Sequence, residues 1–354
     1  MLAYVLDAGD LSIKDLLEFE TYEFQTDSEF SNKSSIVVAE MPNIDHDDFV
    51  ICKCDGATVF VGICDNYASE SDTETYKITL RQKECLFDRF IFVSNEALIA
   101  SNGIEDFIAQ TIIDNWIQSG DMMLDRDYLT ATALTHTPIA AKVSTTVSFT
   151  DGAYNFKTYL GNVLEFYSVY VDFDFTTTGR LELLIYKDDS GAADIDVLLT
   201  DISGYTETYS VDALTKLNVQ WKLSDEDTNP TSWTYYLLAN RTITTDGTDP
   251  NRAVGSTRSM VIEAETQAEM YQKVVDVFAQ NSYAHKINFN LFMDSQLYDY
   301  RNYYVGRTSN IKTKSGIRSS LVTARAITSE SRFAAISFGK LKITLIEKIR
   351  GTQT

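Results

Sequence analysis

The chain has 354 residues, 44% of them apolar, with 20 Tyr, 19 Phe and 3 Trp; that is enough for two or three domains with cores of their own and excludes a disordered tail. It carries 30 basic and 51 acidic residues, a net charge of −21, which argues against a nucleic-acid surface built on Lys and Arg. No window of 18 apolar residues is present to cross a membrane as a helix, and the acidic start MLAYVLDAGD lacks the basic flank of a signal peptide.

Residues 19–41 alternate loosely and predict strands. Residues 49–65 predict a hairpin, with Asp55-Gly56 as the turn between two apolar runs. TYKITL (75–80) alternates with period two. After Phe92 the period changes: Ile104, Phe107, Ile108, Ile112 and Trp116 form a helical stripe that ends at Gly120. Residues 155–168 predict a second helix with Asn155 as N-cap, running into a hairpin over 169–186 with Gly179 near its turn. Residues 205–223 return to strand texture, TTDGTDPNR (244–252) is a turn cluster, and 263–280 form an amphipathic helix with an acidic first turn. The remainder, 283–350, reads as strands. The fold class is therefore mixed and β-rich (α+β): a first β-barrel over 1–95, a mixed middle region over 96–282 and a second β-barrel over 283–354.

The two barrels are expected to be similar. Sliding the chain against itself by 260 residues places Ile51 on Ile311, Gly56 on Gly316 and Ser69-Glu70-Ser71 on Ser329-Glu330-Ser331. One residue is lost after that turn, so Leu86 meets Leu345. The glycines are expected in hairpin turns with positive φ, and the isoleucines and leucines inside the barrels. The copies differ in charge. Residues 301–350 hold eleven basic residues against two acidic, a net of +9. This segment is expected to pack on an acidic neighbour.

Candidate chemistry is sparse. His46, His136 and His285 stand without a neighbouring nucleophile or ligand motif. No catalytic residue is assigned, and replacing each histidine with Ala is expected to leave assembly intact. Asp125 with Asp127, and Asp172 with Asp174, read as loop or solvent-face carboxylates rather than a glycosidase pair. Asp246 and Asp249 flank Gly247 in a spacing that departs from the calcium loop and reads as a turn. Cys52, Cys54, Cys64 and Cys85 lie in strand-like runs and read as reduced thiols rather than metal ligands. No cofactor or metal is expected.

Three segments carry a family resemblance: FSNKSSIVVAEMPNIDHDDFVICKCDGATVFVGICDN (30–66), NFKTYLGNVLEFYSVYVDFDFTTTGRLELLIY (155–186), and TTDGTDPNR with the helix after it and YYVGRTSNIKTKSGIRSSLVTARAITSES (303–331). Together they resemble the baseplate hub proteins of tailed phages and phage-like tail machines, including the N-terminal part of tail-associated lysins. The resemblance implies a homotrimer whose six barrels join a six-fold tail tube to a three-fold tip. It implies contacts with the distal tail or tube ring and with a tip spike, tape-measure or receptor-binding protein. It further implies a place in the virion after synthesis in the host cytoplasm, and a DNA channel that binds no DNA specifically. Many relatives carry a peptidase or lysozyme domain after the second barrel, and none is expected before Thr354. The alternative reading is a carbohydrate-binding or adhesin module, in which WTYYLLA (233–239) and YDYRNYY (298–304) stack on sugars; for those aromatics, core and subunit interface are the competing roles.

Overall fold

The computed structural model of the protein describes residues 1–70, 74–93, 98, 100–121, 125–137, 152–176, 179–187, 193–209, 213–224, 229–238, 243–279, 285–314 and 316–340. The first barrel is built from β1 (Leu2–Leu6), β2 (Ile13–Asp27), β3 (Lys33–Val38), β4 (Phe49–Cys54), β5 (Ala57–Glu70) and β6 (Thr75–Gln82). They follow the order β1-β4-β5-β6-β3-β2, and a β1–β2 pairing closes the ring. Alternation sends Ala3, Val5, Ile36, Val50, Cys52, Ile78 and Leu80 inward, where each is wholly buried. The β4–β5 turn holds Asp55 at φ 49° and Gly56 at φ 81°, the two consecutive positive φ values of a type I′ hairpin. Register shifts in β1–β2, β2–β3, β4–β5 and β5–β6 bend the strands around the closed ring.

The middle region follows with β7 (Phe90–Val93), α1 (Ile104–Ile112), β8 (Leu129–Ala133), β9 (Gly152–Asn155), α2 (Phe156–Tyr167), β10 (Val169–Phe175) and β11 (Leu181–Lys187). The expected cap is present: the Asn155 side chain accepts from the Thr158 amide at 3.0 Å. Helix α2 ends at Ser168, φ 54°, and the chain turns straight into the expected hairpin, Val169 opposite Lys187. Phe87 meets Trp116 and Phe156 edge to face in the core of this region, and those two rings lie tilted at 32° to each other. Glu105, in the first turn of α1, is fully buried. It accepts from the Thr135 hydroxyl at 2.8 Å and from the Thr137 amide and hydroxyl at 2.7 Å each, tying the segment after β8 to the helix.

The last part contains β12 (Ile195–Asp196), β13 (Ile202–Tyr209), β14 (Leu214–Lys222), β15 (Thr231–Leu237), β16 (Ile243–Thr244), β17 (Ser256–Glu263), α3 (Gln267–Ala279), β18 (His285–Phe292), β19 (Thr308–Thr313), β20 (Gly316–Thr328) and β21 (Phe333–Lys340). Here the neighbours run β12-β19-β20-β21-β18-β13. That is the order of the first barrel repeated, strand for strand. Five strands also keep the antiparallel sense, and both β5 and β20 carry a register shift, after Cys64 and after Val322. The sixth differs: β12 is two residues long and runs parallel to β19, whereas β1 runs antiparallel to β4. No pairing closes β12 onto β13 among the described residues.

The second barrel is therefore not confined to 283–354. Its β12 and β13 come from 195–209, within the segment expected to be middle region. Between β13 and β18 sits an inserted module, the sheet β16-β15-β14-β17 with α3 packed on it through Met270, Val274 and Phe278.

The barrels are joined by backbone. Strand β2 pairs with β20, Glu23 opposite Thr328 through Asp27 opposite Ala324, so twelve strands form one sheet. Along β20, Val322 belongs to the second core and Ile327 to the first. Phe24, opposite Ile327, is 3% exposed and stacks on Phe60 at 4.7 Å.

Phe24→Ala removes that ring from the seam and is expected to lower stability by about 3–5 kcal/mol in urea unfolding, with little change in the denaturant slope; a loss below about 1 kcal/mol contradicts the assignment. A second expectation concerns acid. Burial pushes the Glu105 carboxyl up, but the hydrogen bonds from Thr137 and Thr135 outweigh it and hold the carboxyl below the ordinary 4.5. The unfolded chain then binds the extra proton, so this stabilisation is full above 4.5 and is lost as pH falls through the lower folded value. Glu105→Gln should cost about 1–3 kcal/mol near neutral pH, and the gap to the parent should narrow in denaturation curves recorded below pH 4.5.

Candidate functional site

Among the described residues the three histidines meet carboxylates, a backbone carbonyl, an arginine and a tyrosine ring. His46 is exposed, with Nδ1 2.8 Å from the Asp65 carbonyl oxygen. His136 pairs with Asp106 at 2.8 Å on the surface. His285 is 1% exposed and lies 3.0 Å from Glu207 Oε1, its ring stacked on Tyr209 at 4.6 Å. Glu207 also accepts from the hydroxyls of Tyr205 at 2.6 Å and Tyr209 at 2.7 Å, and Arg318 Nε lies 3.7 Å away. The expectation that each histidine can be replaced with Ala treats alike three side chains that the fold places differently. His285 is part of a buried polar network in the second barrel, and its loss leaves buried carboxylate oxygens short of a partner.

The carboxylates are likewise committed. Asp125 accepts from the Ser119 amide and hydroxyl, which hold its carboxyl below the usual range. Asp246 caps its own turn through Thr248. Among the described residues no cluster of three or more His, Cys, Asp or Glu is placed to hold a metal ion. All four cysteines are free thiols; burial pushes Cys64 up to about 12 and Cys85 to about 11, so both are protonated at neutral pH.

A cavity of 390 Å³ lies where both barrels meet the middle region. Phe60 and Glu84 line it from the first barrel side, Leu164 and Tyr170 from α2 and β10, and Arg325 from β20. Burial pushes the Glu84 carboxyl up, against the pull of Lys83, and burial pushes the Arg325 guanidinium down, against Tyr300 and Asp299. These groups sit at a structural junction and have no reactive partner among the lining residues.

Three cations of the basic segment meet carboxylates of their own chain. Lys312 pairs with Asp196 at 2.7 Å, Arg301 with Asp299 at 2.8 Å, and Arg318 approaches Glu207. Asp196 and Glu207 come from β12 and β13, the two strands that the sequence placed outside the barrel.

The six repeat positions fall as follows. Cys54 opposite Ala57 and Thr313 opposite Gly316 are the closing pairs of the two hairpins, so Gly316 stands level with Ala57 and not with Gly56. Gly316 does have positive φ, 119°, as the first residue of its strand. The same pairing sets Cys52 against Ile311, both wholly buried in their barrels, and Ile51 against the exposed Asn310. Ile51 and Leu86 face outward onto the core of the middle region. The offset arises because the closing pairs of the two hairpins, Cys54–Ala57 and Thr313–Gly316, are spaced one residue closer than the 260-residue slide; the register shift of β4–β5 places its extra residue, Val59, in β5 and leaves β4 unmoved. Leu345 lies outside the described residues. Ser69 and Glu70 end β5, whereas Ser329 begins the turn after β20; the two triplets sit at the same hairpin but not in register. Ser329 instead clips the seam, its hydroxyl accepting from the Tyr22 amide.

Two rings were missed altogether. Phe90 and Phe92 lie on one face of β7 and are 70% and 87% exposed. The alternation in FIFV was legible, but nothing in it says which face lacks a cover.

No family model and no curated protein matches the chain. Solved structures do. A prophage MuSo2 43 kDa tail protein from Shewanella oneidensis is similar over 97% of this chain and 98% of its own, at 13% identity and a TM-score of 0.50. A chain of the phage P2 baseplate in its activated conformation with Ca is similar over 96% and 98%, at 14% identity and a TM-score of 0.48. A tail protein from Neisseria meningitidis MC58 covers 98% and 97%, at 11% identity and a TM-score of 0.47. The two-barrel fold of this chain is that of a phage tail protein.

Proposed function

We propose that the protein is a structural component of the tip or baseplate of a phage tail or phage-like tail machine, acting as its hub. The carrying observation is the repeated strand order: one chain holds two barrels of like topology fused through a shared sheet. Three copies around an axis present six near-equivalent units, which lets a three-fold tip meet a six-fold tube. The whole-length likeness to a prophage tail protein supports this reading. The net charge of −21 suits a channel wall that lets DNA pass without trapping its phosphates. Partners in this reading are two further copies, the tail-tube ring and a tip or tape-measure protein, within the virion; no helix among the described residues is long and apolar enough to cross a membrane.

The carbohydrate reading is less well supported. Tyr303 and Tyr235 are 0% and 3% exposed, and Trp233 and Tyr300 pack against cores. The rings left uncovered, Phe90 and Phe92, are the kind that a neighbouring protein covers.

Multi-angle light scattering at micromolar concentration should return three times the 39.9 kDa chain mass. A monomer in solution, together with one copy per tail in the assembled particle, overturns the proposal.

A further inference from the structure

A cleft of 360 Å³ opens between the first barrel and the middle region, apart from the seam cavity. Three arginines line it, Arg81, Arg89 and Arg126, with Asp47, Asp88 and the edge of Trp116. In a chain this acidic, such a grouping invites a tally of partners. Arg81 is committed to Asp47, and its Nε lies 3.4 Å from Asp65. Asp88 is committed to Lys157 and to the Asn155 amide group, each at 2.7 Å. Arg89 and Arg126 remain, and neither forms an ion pair with a carboxylate among the described residues.

Both guanidinium groups are held in place by neutral groups. Arg89 lies over the Trp116 ring, 4.5 Å from its centroid, and donates to the Asn115 carbonyl. Arg126 donates from one nitrogen to the Ala8 carbonyl and the Tyr128 hydroxyl, while its own amide donates to the Trp116 carbonyl at 2.9 Å. Each keeps further N–H donors unused by these contacts. Two like charges thus line one cleft, half-buried, Arg89 fixed on Asn115 and Trp116 and Arg126 on Ala8 and Tyr128. Burial, and next the charge of Arg126, depress the Arg89 pKa, with Asp121 acting weakly the other way. Such an arrangement is unfavourable while empty and becomes favourable when an oxyanion accepts from both forks.

We propose that this cleft is an oxyanion-binding site in which Arg89 and Arg126 together hold one carboxylate or phosphate group. The group can come from a free anion or from an acidic side chain of a second copy of this chain, which has 51 to offer. Cys85 adds a neutral thiol to the wall and does not compete for the charge.

Inorganic phosphate titrated into the full chain by calorimetry, at ionic strength fixed with chloride, should bind saturably. Affinity should fall at least tenfold in Arg89→Gln and in Arg126→Gln, and stay unchanged in Lys312→Gln, whose cation lies elsewhere. Circular dichroism checks folding; if Arg126→Gln unfolds because it anchors Ala8, the Arg89→Gln and Arg89→Lys pair carries the test, Lys keeping the charge but losing the fork. Light scattering with and without phosphate separates the sources. A mass that drops as phosphate is added identifies a side chain of another copy as the occupant, and an unchanged mass identifies a free anion. No saturable binding by the parent, or binding kept in both arginine variants, overturns the proposal.

Discussion

Everything else in this molecule is arranged around one ladder, the pairing of β2 with β20. A strand near the start and a strand near the end of the chain supply each other's backbone partners, Phe24 opposite Ile327 and Thr26 opposite Arg325. Each barrel thereby loses an open edge that would otherwise pair with another chain. The ladder also fixes how the barrels face each other, because hydrogen bonds in register leave little freedom of twist or slide. Strand β20 leaves the second core at Val322 and enters the first at Ile327, so a single strand stiffens both interiors. The cavity lined by Glu84 and Arg325 sits beside this ladder and is roofed by the middle region, at the point where three units converge.

The sequence was most legible where local chemistry dictates geometry. Asp55-Gly56 made a turn, Asn155 made a cap, and the alternation after Ser168 made a hairpin, because each depends on residues close in sequence. The repeat was legible in order but not in register. Ile51 and Ile311 look alike in an alignment, yet counting back from the hairpin turns sets Cys52 level with Ile311, and the alternation of β4 turns Ile51 out of the barrel. Strands β12 and β13 were hidden for another reason. The inserted module of 214–279 separates them from β18, and no local signal in ISGYTETY reports a partner that far away. The candidate anion site was illegible because Arg89 and Arg126 become neighbours only through the fold of 115–126.

Charge shows the same limit. The excess of basic residues after 301 suggested a partner surface. Three of its eleven cations are answered within the chain, by Asp196, Glu207 and Asp299. Partly exposed pairs such as Lys312–Asp196 contribute little energy each, about 0–1 kcal/mol. Glu207, with two tyrosines, a histidine and an arginine around it inside the barrel, is a different matter, since a buried carboxylate is costly unless its oxygens are all engaged.

The insertion and the long-range ladder together set an order of events during synthesis. Strands β1 to β6 lie within 2–82 and can close a barrel among themselves as soon as they emerge. The partner of β2's last residues follows some 300 positions later, a wait of roughly 15–60 s at ordinary translation rates. Through that interval the outer edge of β2, with Phe24 beside it, stands open to any strand in the neighbourhood. Nascent chains crowded on one message are the nearest source of the same β20 sequence, so the geometry that makes one finished subunit rigid also makes its half-built form prone to exchange strands with its siblings.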